Sequence, residues 1–286
     1  MDVHNAFLHG DLDEEVYMKP PPGLLNVPSG HVCRLKKSLY GLKQAPRNWF
    51  AKLSASLWAF GFHQSYADYS LFPYQTCNTT LHVLVYVDDL IVAGNDSLLI
   101  SNFKSDLSSC FHMKDLVTLK YFLGIEIARS SSGLFLSQRK YTLNILSEAG
   151  LLGAKASPLP MESHQRLAVS QSPVFDDPEH YRRLIGRLVY LTIIRSELSY
   201  SVHTLAQFMQ VPKIDHWHAA ICVLHYLKGY PGQGLHLSSN SSLQLHAYCD
   251  SDWASCPLTR RSLTGFFITL SQSPISWKTK KASYCF

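Results

Sequence analysis

One stretch, LHVLVYVDDLIVAG from Leu81 to Gly94, constrains the fold more than any other part of the chain. A β-branched apolar run is followed by two adjacent carboxylates and then by a second apolar run, a pattern that predicts a β-hairpin. We expect its tight turn to carry Asp88 and Asp89. Because both arms are apolar enough for a buried sheet, the two carboxylates would be held at the edge of a rigid core.

The acidic turn allows two interpretations from these letters alone. Aspartate is a common turn residue, because its side chain can hydrogen-bond to the nearby backbone. Alternatively, Asp88 and Asp89 are metal ligands, since carboxylate oxygens suit hard divalent cations. A third acid, Asp2, lies beside a short apolar stretch that ends with Phe7 and Leu8.

The remaining periodic segments predict an α+β fold, with helices packed against a sheet. A helix with Pro46 at its first position is expected to end at Gly61, and Asp96 can cap a second helix after the hairpin. Two short strands are predicted around the turn Ser130–Gly133. Three later helices are expected over residues 181–194, 198–210 and, capped by Asp215, 215–228. Strand character returns after residue 241.

Composition excludes several classes of protein. No apolar run approaches the roughly 18 residues of a membrane span, and the start of the chain lacks the pattern of a signal peptide, so we expect an intracellular protein without membrane contact. The 7 cysteines are odd in number and never form a C-x-x-C pair, which argues against a disulfide framework and a zinc site. The 14 histidines show no metal-binding spacing.

The charge is mild overall, at +5, but it is unevenly distributed. Residues 16–67 contain no Asp or Glu, and after Asp252 the only charged residues are bases, with aromatic residues interleaved in both regions. Such blocks are typical of a surface that contacts a phosphate backbone, and they are equally compatible with a solvated basic face. The bases are Lys19, Arg34, Lys36, Lys37, Lys43, Arg47, Lys52, Arg260, Arg261, Lys278, Lys280 and Lys281.

Six ordered motifs carry a family resemblance that covers nearly the whole chain. They are MDVHNAFLHGDL, LKKSLYGLKQAPRNW, YVDDLIVAG, LKYFLGIEI, YRRLIGRLVYL and YCDSDWA. In this order they resemble the reverse transcriptase and adjoining ribonuclease H region of copia-type retrotransposon polyproteins. An unrelated sheet protein with an acidic turn would leave the order of the motifs unexplained.

The resemblance implies the chemistry of the site. Asp2, Asp88 and Asp89 match the three palm carboxylates that hold two Mg²⁺ ions in template-directed nucleotidyl transfer. Phe7 matches the aromatic residue that excludes a ribose 2′-hydroxyl, although the residues alone would make it an ordinary core aromatic. Lys114 matches a candidate proton donor to the leaving pyrophosphate.

Further positions are implied to contact the partners, which are an RNA template, a DNA primer and deoxynucleoside triphosphates. The nucleotide would meet Phe7, Tyr40, Gly41 and Gln44. The nucleic acid would meet Lys43, Arg47, the turn of Phe122, Leu123 and Gly124, and the helix positions Gly186, Arg187 and Tyr190. The turn is otherwise a plain strand connection.

The implied architecture is a polymerase right-hand palm with partial fingers at 1–156, a linker at 157–175, a helical thumb or connection at 176–236, and the start of a ribonuclease H-like α/β domain at 241–286. Asp250, with Asp252 nearby, matches the first acid of a ribonuclease H site, but the further acids of the family are missing here, so we expect no such activity. The shortened fingers leave an alternative, a catalytically inactive remnant of an integrated retroelement that binds nucleic acid non-specifically.

Overall fold

The computed structural model describes residues 1–23, 28, 30–162, 167–254, 256–257 and 259–282. Their structure is mixed α+β, with antiparallel sheets and six α-helices among the described residues, which confirms the predicted class. The chain forms two compact units, residues 1–119 and 120–286. The functional boundaries expected at residues 156, 175 and 236 stay a prediction; residues 163–166 of the expected linker lie outside the described residues.

Among its described residues, the first unit has a five-stranded antiparallel sheet, two α-helices and one short 3-10 helix, Ala6–His9. Its elements are β1 (Asp2–Val3), β2 (Tyr17–Met18), β3 (Cys33–Arg34), α1 (Ala45–Phe60), β4 (Leu71–Gln75), β5 (Thr80–Tyr86), β6 (Asp89–Gly94), α2 (Ser97–Cys110) and β7 (Met113–Lys114). The strand order is β4-β5-β6-β1-β7, while β2 and β3 form a separate ladder. Although β1 is short, it therefore occupies an interior position of the sheet.

Both helices of this unit form as the sequence predicts. Pro46 lies in the first turn of α1, where its missing N–H costs nothing, and Gly61 ends the helix. The Asp96 side chain caps α2 by accepting hydrogen bonds from the backbone N–H groups of Leu98 (2.9 Å) and Leu99 (3.1 Å). The apolar faces of the two helices and of the sheet share one core, which includes Trp49, Leu53, Leu57, Phe72, Val83 and Phe103.

The hairpin forms, but its turn differs from the prediction in one residue. Tyr86 pairs with Asp89 across the hairpin, so the two turn residues are Val87 and Asp88. Asp89 is the first residue of β6, because it also pairs with Asp2 on the neighbouring strand. The expectation that both acids occupy the turn was therefore wrong for Asp89, which the sheet holds on both sides.

Within the residues that the structure describes, the second unit combines two antiparallel sheets with four α-helices. Its elements are β8 (Tyr121–Phe122), β9 (Ile125–Ser130), β10 (Gly133–Ser137), α3 (Arg139–Glu148), α4 (Pro178–Leu191), α5 (Ser199–Ala206), α6 (Ile214–Gly229), β11 (Gly234–Ser238), β12 (Leu245–Ser251), β13 (Leu263–Leu270) and β14 (Ser273–Lys281). One sheet has the order β11-β10-β9-β8 and the other β12-β13-β14. The predicted strands around residues 130–133 and after 241 are confirmed.

The helices of this unit share one apolar core but begin and end differently from the prediction. Helix α5 stops at Ala206 rather than Gln210. Asp215 does not cap α6; it lies in the first turn, and its carboxylate accepts a hydrogen bond from the Ser170 hydroxyl (2.6 Å). The cap position is Lys213, whose backbone N–H donates to Nδ1 of His216 (2.9 Å). A histidine at the third helical position therefore replaces the expected carboxylate cap.

Two further observations concern composition. Among the described residues, no helix combines the length and apolarity that crossing a bilayer requires. Six cysteines have free thiols, while Cys285 lies outside the described residues.

Candidate active site

The three acids singled out in the sequence come together at one end of the first sheet. Asp2 on β1 pairs with Asp89 on β6, and the backbone N–H of Val3 donates to the carbonyl of Asp88 (2.8 Å). On its other side, Asp2 pairs with Lys114 on β7. Since paired antiparallel residues lie about 4.5 to 5.5 Å apart, the register places two carboxylates and one ammonium group in adjacent columns.

The electrostatics of this cluster are those of crowded like charges. Partial burial raises the pKa of Asp89 above its ordinary value, and the neighbouring carboxylates of Asp88 and Asp2 raise it further. Burial disfavours the charged form, and each neighbouring negative charge adds to that penalty. A cation bound among these three carboxylates would reduce the repulsion between their charges, which makes the cluster a candidate metal-binding position.

The donor set suits Mg²⁺ by its chemistry. Carboxylate oxygens are its usual protein ligands, and Mg²⁺ is commonly held by one or two carboxylates together with substrate phosphates. Among the described residues, no three His, Cys, Asp or Glu side chains already form a closed metal-binding group. Each acid of β1, β6 and the turn nevertheless offers carboxylate oxygens of the kind that Mg²⁺ binds.

An apolar recess of about 300 Å³ borders the acidic turn. Val87 and Phe7 both line it, and the centroid of the Phe7 ring is 4.7 Å from that of the Tyr40 ring. The remaining lining residues are Pro46, Trp49, Phe50, Tyr69, Ser70 and Val85. The structure therefore brings Phe7, predicted to contact the nucleotide, to the same recess as the residue that precedes Asp88.

The segment before α1 is accessible. Tyr40 is exposed, Gly41 has open space around it, and Gln44 immediately precedes α1. Lys43 and Arg47 are also exposed, and neither forms an ion pair with any residue that the structure describes. These positions are accessible, and their contacts with a nucleotide or a nucleic acid stay a prediction.

Part of the basic block is neutralised within its own unit. Lys37 and Lys52 both form ion pairs with Asp11, and Arg34 pairs with Glu15 (2.8 Å). The hydrogen bond from Lys37, followed by that from Lys52, lowers the pKa of Asp11 to about 2. Since these three bases are paired with upstream acids, the sequence overestimated the free positive charge of residues 16–67.

In the second unit, the Phe122–Gly124 segment forms a two-residue hairpin turn. Phe122 pairs with Ile125, so Leu123 and Gly124 are the turn residues, with φ of 46° and 78°. The hydroxyl of Tyr190 on α4 donates to the Leu123 carbonyl. Tyr190, predicted from the sequence to contact nucleic acid, is thus brought against the turn and helps to fix it.

The three helix positions predicted to form a nucleic-acid contact have different surroundings. Gly186 is exposed, and a Cβ added there would meet no described atom outside its own helix backbone within 4 Å. Arg187 makes a two-pronged ion pair with Glu148 of α3 (2.9 Å for one of the two bonds) and lies over the Tyr141 ring. Gly186 can meet a ligand directly, whereas Arg187 and Tyr190 are engaged by their own chain.

Asp250 and Asp252 line a larger recess of about 550 Å³ within the second unit. Asp250, the residue before the last in β12, pairs with Gly265, and its carboxylate accepts a hydrogen bond from the Ser251 N–H (2.9 Å). The Asp252 carboxylate accepts from the Leu263 N–H (2.9 Å). Glu197, from the short turn before α5, lines the same recess. Both aspartates therefore bond to backbone of their own sheet.

Sequence reasoning missed one functional candidate in the first unit, Trp49. Its spacing with Leu53 and Leu57 is typical of the buried face of a helix. The structure adds a polar contact, since its indole N–H donates to the carbonyl of Val87 in the acidic turn (2.7 Å). The partners are 38 residues apart in sequence, so local spacing contains no signal for this contact.

Comparisons with known proteins identify relatives of the chain. Residues 1–163 match the family described as reverse transcriptase (RNA-dependent DNA polymerase). The chain is 44% identical, over 98% of its length, to the retrovirus-related Pol polyprotein from transposon RE2 of Arabidopsis thaliana, and it covers 19% of that protein. It is 36% identical over 98% of its length to the corresponding polyprotein from transposon TNT 1-94 of Nicotiana tabacum, of which it covers 22%. An uncharacterized mitochondrial protein of Arabidopsis thaliana is 42% identical over 70% of the chain, which covers 83% of that relative. The chain thus spans about a fifth of the length of the two transposon polyproteins.

Proposed function

The chain belongs to the reverse transcriptase family found in the Pol polyproteins of copia-type retrotransposons, and we propose that it adds deoxynucleotides to a primer 3′-hydroxyl under the direction of an RNA template. The observation that carries the proposal is the register of the first sheet. It pairs Asp2 with Asp89 and bonds Val3 to Asp88, so three acids from distant parts of the sequence share one end of the sheet.

The proposed roles of the acids follow from their placement. Asp2, Asp88 and Asp89 would hold two Mg²⁺ ions, which when bound activate the primer hydroxyl and neutralise charge on the leaving pyrophosphate. The strands β1 and β6 keep Asp2 and Asp89 on a rigid framework. Asp88, in the turn, supplies a carboxylate whose direction depends on the turn geometry.

The recess between Phe7 and Val87 would take the sugar and base of the incoming nucleotide. Phe7 would lie against the sugar, and Tyr40, whose ring contacts it at 4.7 Å, would keep its side chain in place. Gly41 and Gln44 would contact the same nucleotide, while Lys43 and Arg47 would bind nearby phosphates as exposed bases. Apolar lining with a few polar groups at the rim is the usual composition of such a pocket.

In the proposed assignment, the first unit belongs to the palm and partial fingers. In the second unit, the turn of Leu123 and Gly124 would support the primer end, and α4 would present the exposed Gly186 to the duplex. A side-chain-free position permits close approach to a nucleic-acid backbone. Arg187 and Tyr190 would act indirectly, through Glu148 and the Leu123 carbonyl.

Primer extension by the purified full chain tests the proposal. A DNA primer on an RNA template is extended in Mg²⁺ by the wild type and by the Asp88→Asn/Asp89→Asn variant, with Asp106→Asn as the control because Asp106 is an exposed acid on α2. We expect extension by the wild type and the control only. Absence of extension from a wild-type chain that is folded by circular dichroism would overturn the proposal and favour the inactive remnant.

A further inference from the structure

The Trp49 side chain joins the core of the first unit to the acidic turn. Its indole N–H donates a hydrogen bond to the carbonyl oxygen of Val87 at 2.7 Å. That carbonyl belongs to the peptide group that links Val87 to Asp88. The orientation of this peptide helps to set the direction in which the Asp88 side chain leaves the backbone, so the bond acts one residue from a proposed metal ligand.

The backbone of the turn is strained at Val87. Its φ is 55°, a conformation that glycine adopts readily and that a β-branched side chain adopts rarely. Residues held in such conformations persist only where the surrounding structure fixes them. Because Val87 is 42% exposed, its own side chain has few contacts with which to hold the turn.

Trp49, in contrast, is rigidly held. It is 2% exposed, and its ring makes an edge contact with Phe111 (centroids 5.1 Å apart) and a tilted contact with His9 (5.8 Å). The indole also belongs to the buried face of α1. A donor on a side chain this well packed can fix the strained peptide without losing much conformational freedom of its own.

We propose that Trp49 is a positioning residue for the nucleotidyl-transfer site: its indole N–H fixes the Val87–Asp88 peptide and thereby the direction of the Asp88 carboxylate. This inference rests on the proposed polymerase function for its effect on catalysis. Its structural part, the coupling between the indole N–H and the strained turn, is independent of any activity.

Trp49→Phe removes the N–H and keeps an aromatic ring in the core. Leaving the Val87 carbonyl without its donor is expected to lower kcat for primer extension about tenfold and to raise the Mg²⁺ concentration for half-maximal rate, at an unchanged KM for primer–template. The matched control is Trp58→Phe on the same helix, because Trp58 is 54% exposed and contacts neither the turn nor the recess.

A second background, Val87→Gly, distinguishes the loss of positioning from a general loss of packing in Trp49→Phe. In a Val87→Gly background the turn can adopt φ of 55° without strain, so the same Trp49→Phe change is expected to reduce kcat only about twofold. If Trp49 merely filled the core, the loss would be the same in both backgrounds. Equal losses, or an unchanged Mg²⁺ dependence, would overturn the proposal.

The four proteins of this cycle are also unfolded in urea, which gives a readout that needs no activity. Coupling between the two positions in the unfolding equilibrium is expected whether or not the wild type extends a primer. If the wild type is inactive but the coupling is present, the polymerase proposal fails and the structural role of Trp49 stands. If extension is normal and neither measurement shows coupling, the inference about Trp49 fails alone.

Discussion

Asp2 and Asp89 face each other across two antiparallel strands, and this pairing organises the candidate site. It depends on β1, a strand of only two residues that is inserted between β6 and β7. The same insertion places Lys114 on the other side of Asp2. The short strand β1 therefore places Asp2 between a second acid, Asp89, and a base, Lys114. This arrangement suits a metal site that lies next to a proton donor.

The position of Lys114 leads to the first prediction. An exposed ammonium group beside Asp2 can protonate the leaving pyrophosphate, and general acid catalysis contributes roughly 10²- to 10⁴-fold. We expect Lys114→Gln to lower kcat for primer extension within that range. Lys120→Gln, which changes another exposed lysine, is the control. A Lys114→Gln variant whose kcat equals that of Lys120→Gln would contradict this role.

Phe7 leads to the second prediction, on the choice of sugar. Its ring borders the recess beside the acidic turn and is braced by Tyr40. Replacing it with the smaller valine should make room for a ribose 2′-hydroxyl. Removal of one such steric contact alters discrimination by roughly 10- to 200-fold.

The measurement for Phe7→Val is the ratio of kcat/KM for a deoxynucleotide to that for the matching ribonucleotide. We expect the ratio to fall, mainly because incorporation of the ribonucleotide improves. Leu8→Val is the matched control, since Leu8 is the next residue of the same short helix and does not line the recess. An unchanged ratio in Phe7→Val would show that another residue selects the sugar.

Gly124 leads to a prediction about stability. Its φ is 78°, and a Cβ added there would lie 3.2 Å from the Tyr190 hydroxyl. An L side chain in the left-handed region costs about 1 to 2 kcal/mol, and the tight contact with Tyr190 adds to that cost. We therefore expect Gly124→Ala to lower the free energy of unfolding by about 1 to 2 kcal/mol.

Gly153→Ala provides the comparison, because nothing lies near that position and its φ is not in the left-handed region. Its free energy of unfolding should stay within about 0.5 kcal/mol of the wild type. Urea unfolding of the two variants decides the matter. Equal stabilities would mean that the turn relaxes, and the bond from Tyr190 to Leu123 would then contribute little.

These sites differ in how far the sequence could predict them. Local signals predict the hairpin, helix α1 and the Asp96 cap. These signals are two apolar runs around a turn, the helical spacing of apolar residues and a side chain that bonds the next turn. The cap of α6 does not follow from local signals, because Asp215 at a helix start is a strong local signal and His216 is a weak one. Tertiary contacts with Ser170 decide the outcome.

Contacts between residues that are far apart in the sequence cannot be predicted from local sequence patterns. That Asp2 pairs with Asp89 could be expected only through the family resemblance, since nothing in MDV specifies its neighbour in a sheet. Arg187 has a contact that the resemblance does not include. The nucleic-acid contact that the resemblance implies for it stays a prediction, and the structure adds an ion pair with Glu148 of α3. An acid outside a motif can therefore form an ion pair with a basic residue of the motif.

His216 supports the last prediction, on the pH dependence of stability. It is buried; its Nδ1 accepts a hydrogen bond from the Lys213 N–H (2.9 Å), and its Nε2 lies 3.0 Å from the Leu167 carbonyl. This pattern requires a neutral ring with the proton on Nε2, because a protonated ring could not accept at Nδ1. Burial lowers the pKa of His216 below its ordinary value, and the nearby charge of Lys213 acts in the same direction.

The sign of the effect follows from proton uptake. Below the ordinary pKa of histidine, 6.5, the unfolded chain binds a proton that the folded chain excludes, so stability falls as the pH decreases. His216→Gln keeps a hydrogen-bond donor toward Leu167 and has no titratable side chain at this position. We expect the free energy of unfolding of this variant to fall less steeply than that of wild type between about pH 7 and pH 5. His203, whose pKa burial also lowers, is present in both proteins and cancels in the comparison. His218→Gln, at an exposed position of α6, is the control for replacing a histidine by glutamine on this helix. An equal slope in His216→Gln and wild type would show that the ring becomes protonated within the fold, which its bond from Lys213 forbids.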